Sequence, residues 1–415
     1  MKITKTFVTA LRSALRIAKN RYSPTMRCVL IERHRIRGVG PMDELALDLP
    51  EELAAEWPAD PVAVPAKAIE AALSVSSKEL VAEQATRHGI WTLNGVTVDT
   101  TAGIAQFRES AAAFQGPSTV DRATLFTFEL EAQFYDGLQR VSPARAVDDI
   151  RQHLQGMLLD LGRRRLVATD GSRLHCAEGA LPVARPLKEP QEGVELLTSF
   201  ICGASALTEL QALRPGRLTI HDGKARLARN LEDEPPVLTF EPAQNSGTTW
   251  RLTSRCLGGV FPDMDRVVNA LPVETQQAFQ LRERAKPGSH VKASFPVSVR
   301  LPDYSEALDQ YIKATLKTSR MQAPLVVLDL RKGNMRSVDN APVAFSQPIF
   351  PLGVTPEIQQ VLEDDSQALC AVQAPFLRDA MRALGEPRTW TVSALGTWQS
   401  ERDRAVKVLV MPRRL

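Results

Sequence analysis

The sequence predicts an α+β protein of antiparallel sheets and short amphipathic helices, arranged in three similar units. Two observations carry this. One order of elements (strand, helix, strands, strand, helix, strands) can be read three times along the 415 residues. Division into thirds gives units of about 138 residues, an ordinary domain size. The helical stretches are also one-faced, with apolar residues three or four apart, and turn residues bound the strands.

In the first third, Lys2-Ile3-Thr4 reads as a strand and residues 7–19 as a helix with Val8, Leu11, Leu15 and Ala18 on one face. Cys28–Ile31, Leu45–Leu47 and Val62–Pro65 read as strands, and residues 66–76 as a second helix. Asn94-Gly95 between Trp91–Leu93 and Val96–Val98 is a strong hairpin signal. In the second third, Thr127–Leu130 is a strand, and residues 131–141 a helix with Phe134, Leu138 and Val141 inward. Leu154, Met157 and Leu159 suggest a strand, Gly162–Arg165 a charged hairpin turn, and Leu166–Thr169 the returning strand, ended by Asp170-Gly171. Residues 195–198 then lead to a helix at 199–213, and strands are expected at 217–220, 225–229 and 248–252. In the last third, Ser298–Leu301 is a strand and Pro302–Thr318 a helix. Leu325–Leu330 and Leu369–Val372 are strands, and residues 375–384 form a helix whose core face is Phe376, Leu377, Ala380, Met381 and Leu384. Trp390–Ser393 and Val406–Met411 close the chain.

Composition narrows the function classes. Hydrophobic content is 44%, charged content 24% and formal net charge +3, ordinary for a globular protein and neutral on the question of DNA. No apolar run approaches the roughly 18 residues of a membrane span. The first twenty residues, with basic residues scattered throughout, read as folded structure rather than a signal peptide, so a cytoplasmic protein is expected. The five cysteines are far apart and form no CxxC pair, which argues for reduced thiols and against disulfides or zinc. There is no GxxxxGK loop, GxGxxG fingerprint or HExxH pair, so no cofactor or metal is expected. Asp148-Asp149 and Asp263/Asp265 are the nearest approach to paired carboxylates. They could hold Mg²⁺ for a nuclease, but no further acidic cluster supports them, and capping or solvated turns explain them better.

Three motifs carry a family resemblance. Leu154-Gln155-Gly156-Met157, a charged hairpin and Val167-Ala168-Thr169-Asp170-Gly171-Ser172-Arg173-Leu174 form the first. Phe261-Pro262-Asp263 with Arg266-Val267 is the second. The terminal Val410-Met411-Pro412-Arg413-Arg414-Leu415 is the third. In this order they resemble the bacterial sliding clamp, the beta subunit of DNA polymerase III. The resemblance implies three similar clamp domains per chain, near 1–124, 125–270 and 271–415. It also implies helices lining a central hole, sheets outside, and two subunits closing head to tail into a ring. Such a protein is a processivity factor rather than an enzyme. It encircles double-stranded DNA without reading sequence, is placed there by a clamp loader, and tethers polymerase and other partners through their clamp-binding peptides.

The resemblance also assigns residues. A partner-peptide pocket would use Leu154, Thr169, Gly171, Ser172, Arg173, Leu174, Pro262, Arg266, Val267, Val410, Met411, Pro412, Arg413, Arg414 and Leu415. Ser172 stands where the family commonly has His, Met264 where it has Tyr, Arg413 where it often has Met, and Gln152-His153 replaces an aromatic pair. Basic residues at helical spacing, Arg12/Arg16/Lys19, Lys313/Lys317/Arg320 and Arg378/Arg382, make strips suited to a phosphate backbone. The same spacing suits a solvated helix face; the resemblance gives the strips a DNA-facing role, shared by Arg140 and the lead-in Arg151-Gln152-His153. A clamp-like interaction protein that keeps the pocket without encircling DNA, competing with a host clamp, is the alternative.

Overall fold

A computed structural model describes residues 4–19, 27–32, 34–49, 62–76, 81–84, 90–99, 117–120, 122–184, 187, 198–223, 234–244, 248–269, 297–300, 302–318, 324–330, 332–338, 341–352, 369–385, 390–392, 397–399 and 405–411. Among them, α-helices run over Lys5–Lys19 (α1), Ala66–Val75 (α2), Ala132–Val141 (α3), Gln152–Gln155 (α4), Ala204–Leu213 (α5), Met264–Asn269 (α6), Ser305–Thr318 (α7) and Ala374–Leu384 (α8). No described helix is long and apolar enough to cross a membrane. The chain divides into two compact units, Met1–Tyr135 with Pro182–Gly259, and Asp136–Leu181 with Val260–Leu415. The expected middle third therefore contributes to both.

The first unit is built on one eight-stranded sheet. Its order is Val62–Pro65, Cys28–Glu32, Arg35–Val39, Asp43–Asp48, Trp250–Arg255, Val237–Glu241, Arg217–His221 and Thr124–Glu129. The central pairing joins segments far apart in the chain, with Leu47 opposite Trp250 and Leu45 opposite Leu252. Asp43–Asp48 alternates buried and half-buried residues, as a strand covered on one face should. The cover is α1, whose Leu11, Ala14, Leu15 and Ala18 are fully buried. Its approach is close: a Cβ on Gly38 would lie 2.1 Å from the backbone oxygen of Ala14. Only glycine fits there. Thr4 caps α1, its hydroxyl accepting the Phe7 N–H at 3.1 Å, so this end of the expected Lys2–Thr4 strand is a helix cap instead.

The basic run around Arg35 and Arg37 is a strand, which the sequence reading missed because its charges hid the alternation of Ile36 and Gly38. Its arginines are partnered across the sheet: Arg35 pairs with Asp48 at 2.7 Å, and Arg37 with Glu44 at 2.7 Å and Glu32 at 3.4 Å. The Asn94-Gly95 hairpin forms as expected, with φ of 48° and 77°. Ser199–Cys202 is a strand rather than the start of a helix; Gly203 breaks it and α5 begins at Ala204. Likewise α7 begins at Ser305, because Asp303 Oδ1 accepts the Ser305 N–H at 2.9 Å. The expected strand at 225–229 lies outside the described residues.

In the second unit, Arg165–Thr169 pairs with Met157–Asp160 and with Arg173–Glu178. Arg173–Glu178 pairs in turn with Val406–Val410, and that with Thr397–Gln399. A second sheet sets Leu325–Asp329 between Asn334–Ser337 and Leu369–Gln373. Under them lies one core of Leu308, Tyr311 and Ile312 from α7, Leu377, Ala380, Met381 and Leu384 from α8, and Val406, Val408 and Val410. Leu154 is buried as expected, but on α4 rather than on a strand. Extended Gly156 ends that turn, and the strand begins at Met157.

Replacing Gly38 with Ala should separate α1 from the sheet and cost about 1–3 kcal/mol. Urea unfolding reads this as a lower midpoint; an unchanged midpoint would contradict the close approach.

Candidate functional site

The three sequence motifs meet in the second unit, and hydrogen bonding explains how. The turn after Arg165–Thr169 is organised by its own side chains. Thr169 Oγ1 donates to the Arg173 carbonyl at 2.6 Å and accepts the Gly171 N–H at 3.1 Å. Asp170 Oδ1 accepts the N–H groups of Ser172 and Arg173, both at 2.9 Å, and Gly171 sits at φ 85°. The strand leaving this turn lies beside the last described strand, with Arg173 opposite Val410 and Leu174 opposite Leu409. The Met411 N–H extends the ladder to the Ser172 carbonyl at 2.8 Å. The second motif joins through its apolar residues: Met264 packs with Val167, Leu174, Cys176 and Leu409, with Leu158 and Phe261 against them.

Gly171, Pro262, Asp263, Arg266 and Met411 are exposed in this region, the last 47% accessible. Val267 lies on α6. Pro412, Arg413, Arg414 and Leu415 lie outside the described residues, as does Arg320. Arg173 is not a free cation. It pairs with Asp170 at 3.0 Å and Asp379 at 2.6 Å, and its guanidinium lies 4.4 Å from the centre of the Phe376 ring. Arg151 forms a two-pronged pair with Asp149, Nε to Oδ1 at 3.0 Å and Nη2 to Oδ2 at 2.8 Å, and lies against Gly171. Those hydrogen bonds hold the Asp149 carboxyl down at about 2. Asp149 is thus committed to an arginine, and among the described residues no cluster of His, Cys, Asp and Glu could hold a metal.

The segment Phe261–Arg266 is held by an ion-pair cluster that sequence reasoning missed. Arg163–Arg165 looks like one charged turn, but the turn is Leu161–Arg164, and Arg165 begins the strand with its side chain 7% exposed. Arg165 pairs with Asp160 at 2.9 Å and donates Nη1 and Nη2 to the two oxygens of Asp265, each at 3.0 Å. Arg163 adds a contact to Asp265 at 2.9 Å. Asp263 is the cap it was expected to be, accepting the Asp265 and Arg266 N–H groups. Arg165 and Asp265, a hundred residues apart, give no local pattern.

The basic strips are largely compensated. In the first unit, Arg16 is bound two-pronged by buried Glu209 on α5, Nε at 3.0 Å and Nη2 at 2.6 Å, while Lys19 pairs with Glu70 on α2. In the second, Arg140 pairs with Asp136 at 2.9 Å. Arg378 pairs with Asp379 at 2.7 Å and Asp309 at 3.0 Å, and Arg382 with Asp309. Arg12, Lys313 and Lys317 are exposed and make no ion pair with the described residues. Gln152 is exposed and His153 half-buried on α4.

His175 sits fully buried behind the turn. Nδ1 donates to the Arg140 carbonyl at 2.9 Å, and Nε2 has no partner among the described residues. Burial pushes its pKa from 6.5 down to about 4, opposed by the Arg140 carbonyl and by Asp379 and Asp170. The unfolded chain therefore binds a proton that the folded one refuses, and stability rises with pH between about 4 and 6.5. The full span is worth on the order of 3 kcal/mol. Urea unfolding at pH 5 and 7 should show a larger difference for the wild type than for His175→Asn; equal differences would contradict the burial of a neutral imidazole. The described thiols Cys28, Cys176, Cys202 and Cys256 are buried, and no disulfide joins them.

No family model matches the sequence, and no curated protein does. Solved structures do match, over nearly the whole chain. A DNA polymerase sliding clamp from Pseudomonas aeruginosa is 18% identical with a TM-score of 0.60, covering 99% of this chain and 98% of that one. The DNA polymerase III beta subunit from Thermotoga maritima is 16% identical, TM-score 0.63, covering 99% and 97%. A sliding clamp from Bartonella birtlesii bound to griselimycin is 15% identical, TM-score 0.65, covering 99% and 97%. Likeness at this identity is likeness of fold: the chain has the α+β fold of the DNA polymerase III beta subunit, the bacterial sliding clamp.

Proposed function

We propose that the protein is a DNA sliding clamp, a processivity factor and not an enzyme. Two copies close head to tail into a ring around duplex DNA, each contributing three domains near 1–124, 125–270 and 271–415. A clamp loader opens the ring. The surface around Gly171–Leu174, Pro262–Val267 and Val410–Leu415 takes the apolar tail peptide of a polymerase or another partner.

One observation carries this reading. Three motifs spread over the chain converge at one place, within a fold matched end to end by sliding clamps. Strand registry and a shared apolar cluster bring them together, so the convergence does not depend on the motifs having been noticed. Leu174 and Leu409 anchor the region from below, and Met411 stands exposed at its edge. An apolar peptide side chain gains affinity from such a setting.

A second reading has its own observation. Arg16, Lys19, Arg378 and Arg382 are already paired with carboxylates. A protein that keeps the peptide surface but does not encircle DNA would show the same economy of free charge. Retention on nicked circular plasmid with release on linearisation is expected of the ring, and equal behaviour on both DNAs would favour the second reading.

Deleting Met411–Leu415 should abolish binding of a fluorescent polymerase tail peptide while the dimer survives in size-exclusion with light scattering; unchanged affinity would remove the terminus from the peptide surface. Changing Lys313 and Lys317 together to Glu should weaken retention on circular DNA more at low salt than at high salt. An equal loss at both would point to misfolding.

A further inference from the structure

We propose that Arg165 and Asp265 are the positioning pair of the peptide surface, an ionic clasp that fixes the wall Phe261–Arg266. The proposal rests on the peptide-surface reading above. This wall has little else to hold it. It leads into α6, which spans Met264–Asn269 and is too short to be stable by itself. Val260 before it is 88% exposed, and Pro262, Asp263 and Arg266 face solvent. Met264 is its one fully buried apolar anchor, with Phe261 half-buried against the same cluster, and a methionine side chain adapts to several arrangements. An apolar contact of that kind keeps the wall close but does not fix its orientation.

The clasp supplies orientation. Arg165 is rooted in a buried strand, its Nε tied to Asp160 Oδ2 at 2.9 Å. Its planar fork presents Nη1 and Nη2 to Asp265, each at 3.0 Å. A two-pronged pair constrains angle as well as distance. Nη1 also lies 3.8 Å from Met264 Sδ, so the same guanidinium touches both anchors of the wall. The acid two residues earlier works separately: Asp263 caps the start of the helix, while Asp265 reaches out to the strand. The motif Phe-Pro-Asp-x-x-Arg-Val leaves position 265 open, so the clasp is a property of this chain's own residues.

The test compares wild type with Asp265→Asn and Arg165→Lys. Affinity for a fluorescent polymerase tail peptide is measured alongside amide hydrogen exchange over residues 261–269. Asp265→Asn should weaken peptide binding by at least about tenfold and speed exchange in that segment while leaving exchange elsewhere as it was. Arg165→Lys keeps the charge but loses the fork, and should fall between the two. It carries the same test if Asp265→Asn fails to fold. Unchanged affinity or unchanged exchange in a variant, beside a wild type that binds, overturns the clasp alone. A wild type that binds no tail peptide overturns the peptide-surface reading and the clasp with it.

Discussion

The architecture depends on strands that pair across long stretches of chain. Asp43–Asp48 lies beside Trp250–Arg255 in one unit, and Arg173–Glu178 beside Val406–Val410 in the other. In both units, a strand from a local hairpin gives its second edge to a remote segment. An unpaired edge of alternating apolar residues would be open to any other strand, and here it is closed from within the chain. Loop closure for such pairings costs entropy that local contacts do not repay, so the sheets must recover it in burial once formed. Val408 and Val410 do this on one side, completing the core of α7 and α8. Leu409 does it on the other, packing with Leu174 and Met264. One five-residue strand thus seals a core and orders a surface at once.

Charge is handled by the same logic of distant partners. The arginines that look like bare helical strips are held by acids from other elements: Glu209 takes Arg16, and Asp309 takes Arg378 and Arg382. Arg173, Asp379, Arg378 and Asp309 form a continuous run of ion pairs joining the turn after Thr169 to α8 and α7. Most of these contacts are partly exposed and individually worth little. The pairs of Arg173 and the Arg165–Asp160 pair are the drier ones, and removing a partner from a buried pair is costly, about 3–5 kcal/mol, whereas Asp265 keeps 27% of its side chain in water. The value of the Arg165–Asp265 pair lies in geometry: in the proposed clasp it orients α6, whose start Asp263 caps.

How much was legible in the sequence follows from this. Helices with a clean apolar face were read almost to the residue, α2, α3 and α8 among them, because a periodic face is a local signal. Asn94-Gly95 was legible because two positive φ values need those residue types. Arg35–Val39 and Val237–Glu241 were missed. The first disguises its alternation with arginines whose partners lie on neighbouring strands, and the second is buried throughout and shows no alternation. The motifs named the residues of the candidate surface, yet not the contacts that place them. Arg165 was hidden in a run of three arginines, and Asp379 lies on a helix that sequence reading used only for its core face and its basic residues. Pairing between distant elements leaves no trace in spacing.

The charge pattern bears on how a ring of this kind would move. A cation already bound two-pronged to a carboxylate gains little by exchanging it for a phosphate, since the pair must break first. Attraction to a duplex by the strips then rests on their uncommitted residues, of which Arg12, Lys313 and Lys317 are described. Salt dependence scales with the number of phosphates neutralised, so few free cations mean weak holding at any one position and low friction along the helix. In the proposed ring, persistence on DNA would come from topology instead. Compensated strips and topological retention fit together, whereas a protein that held DNA by charge alone would be expected to leave its arginines free.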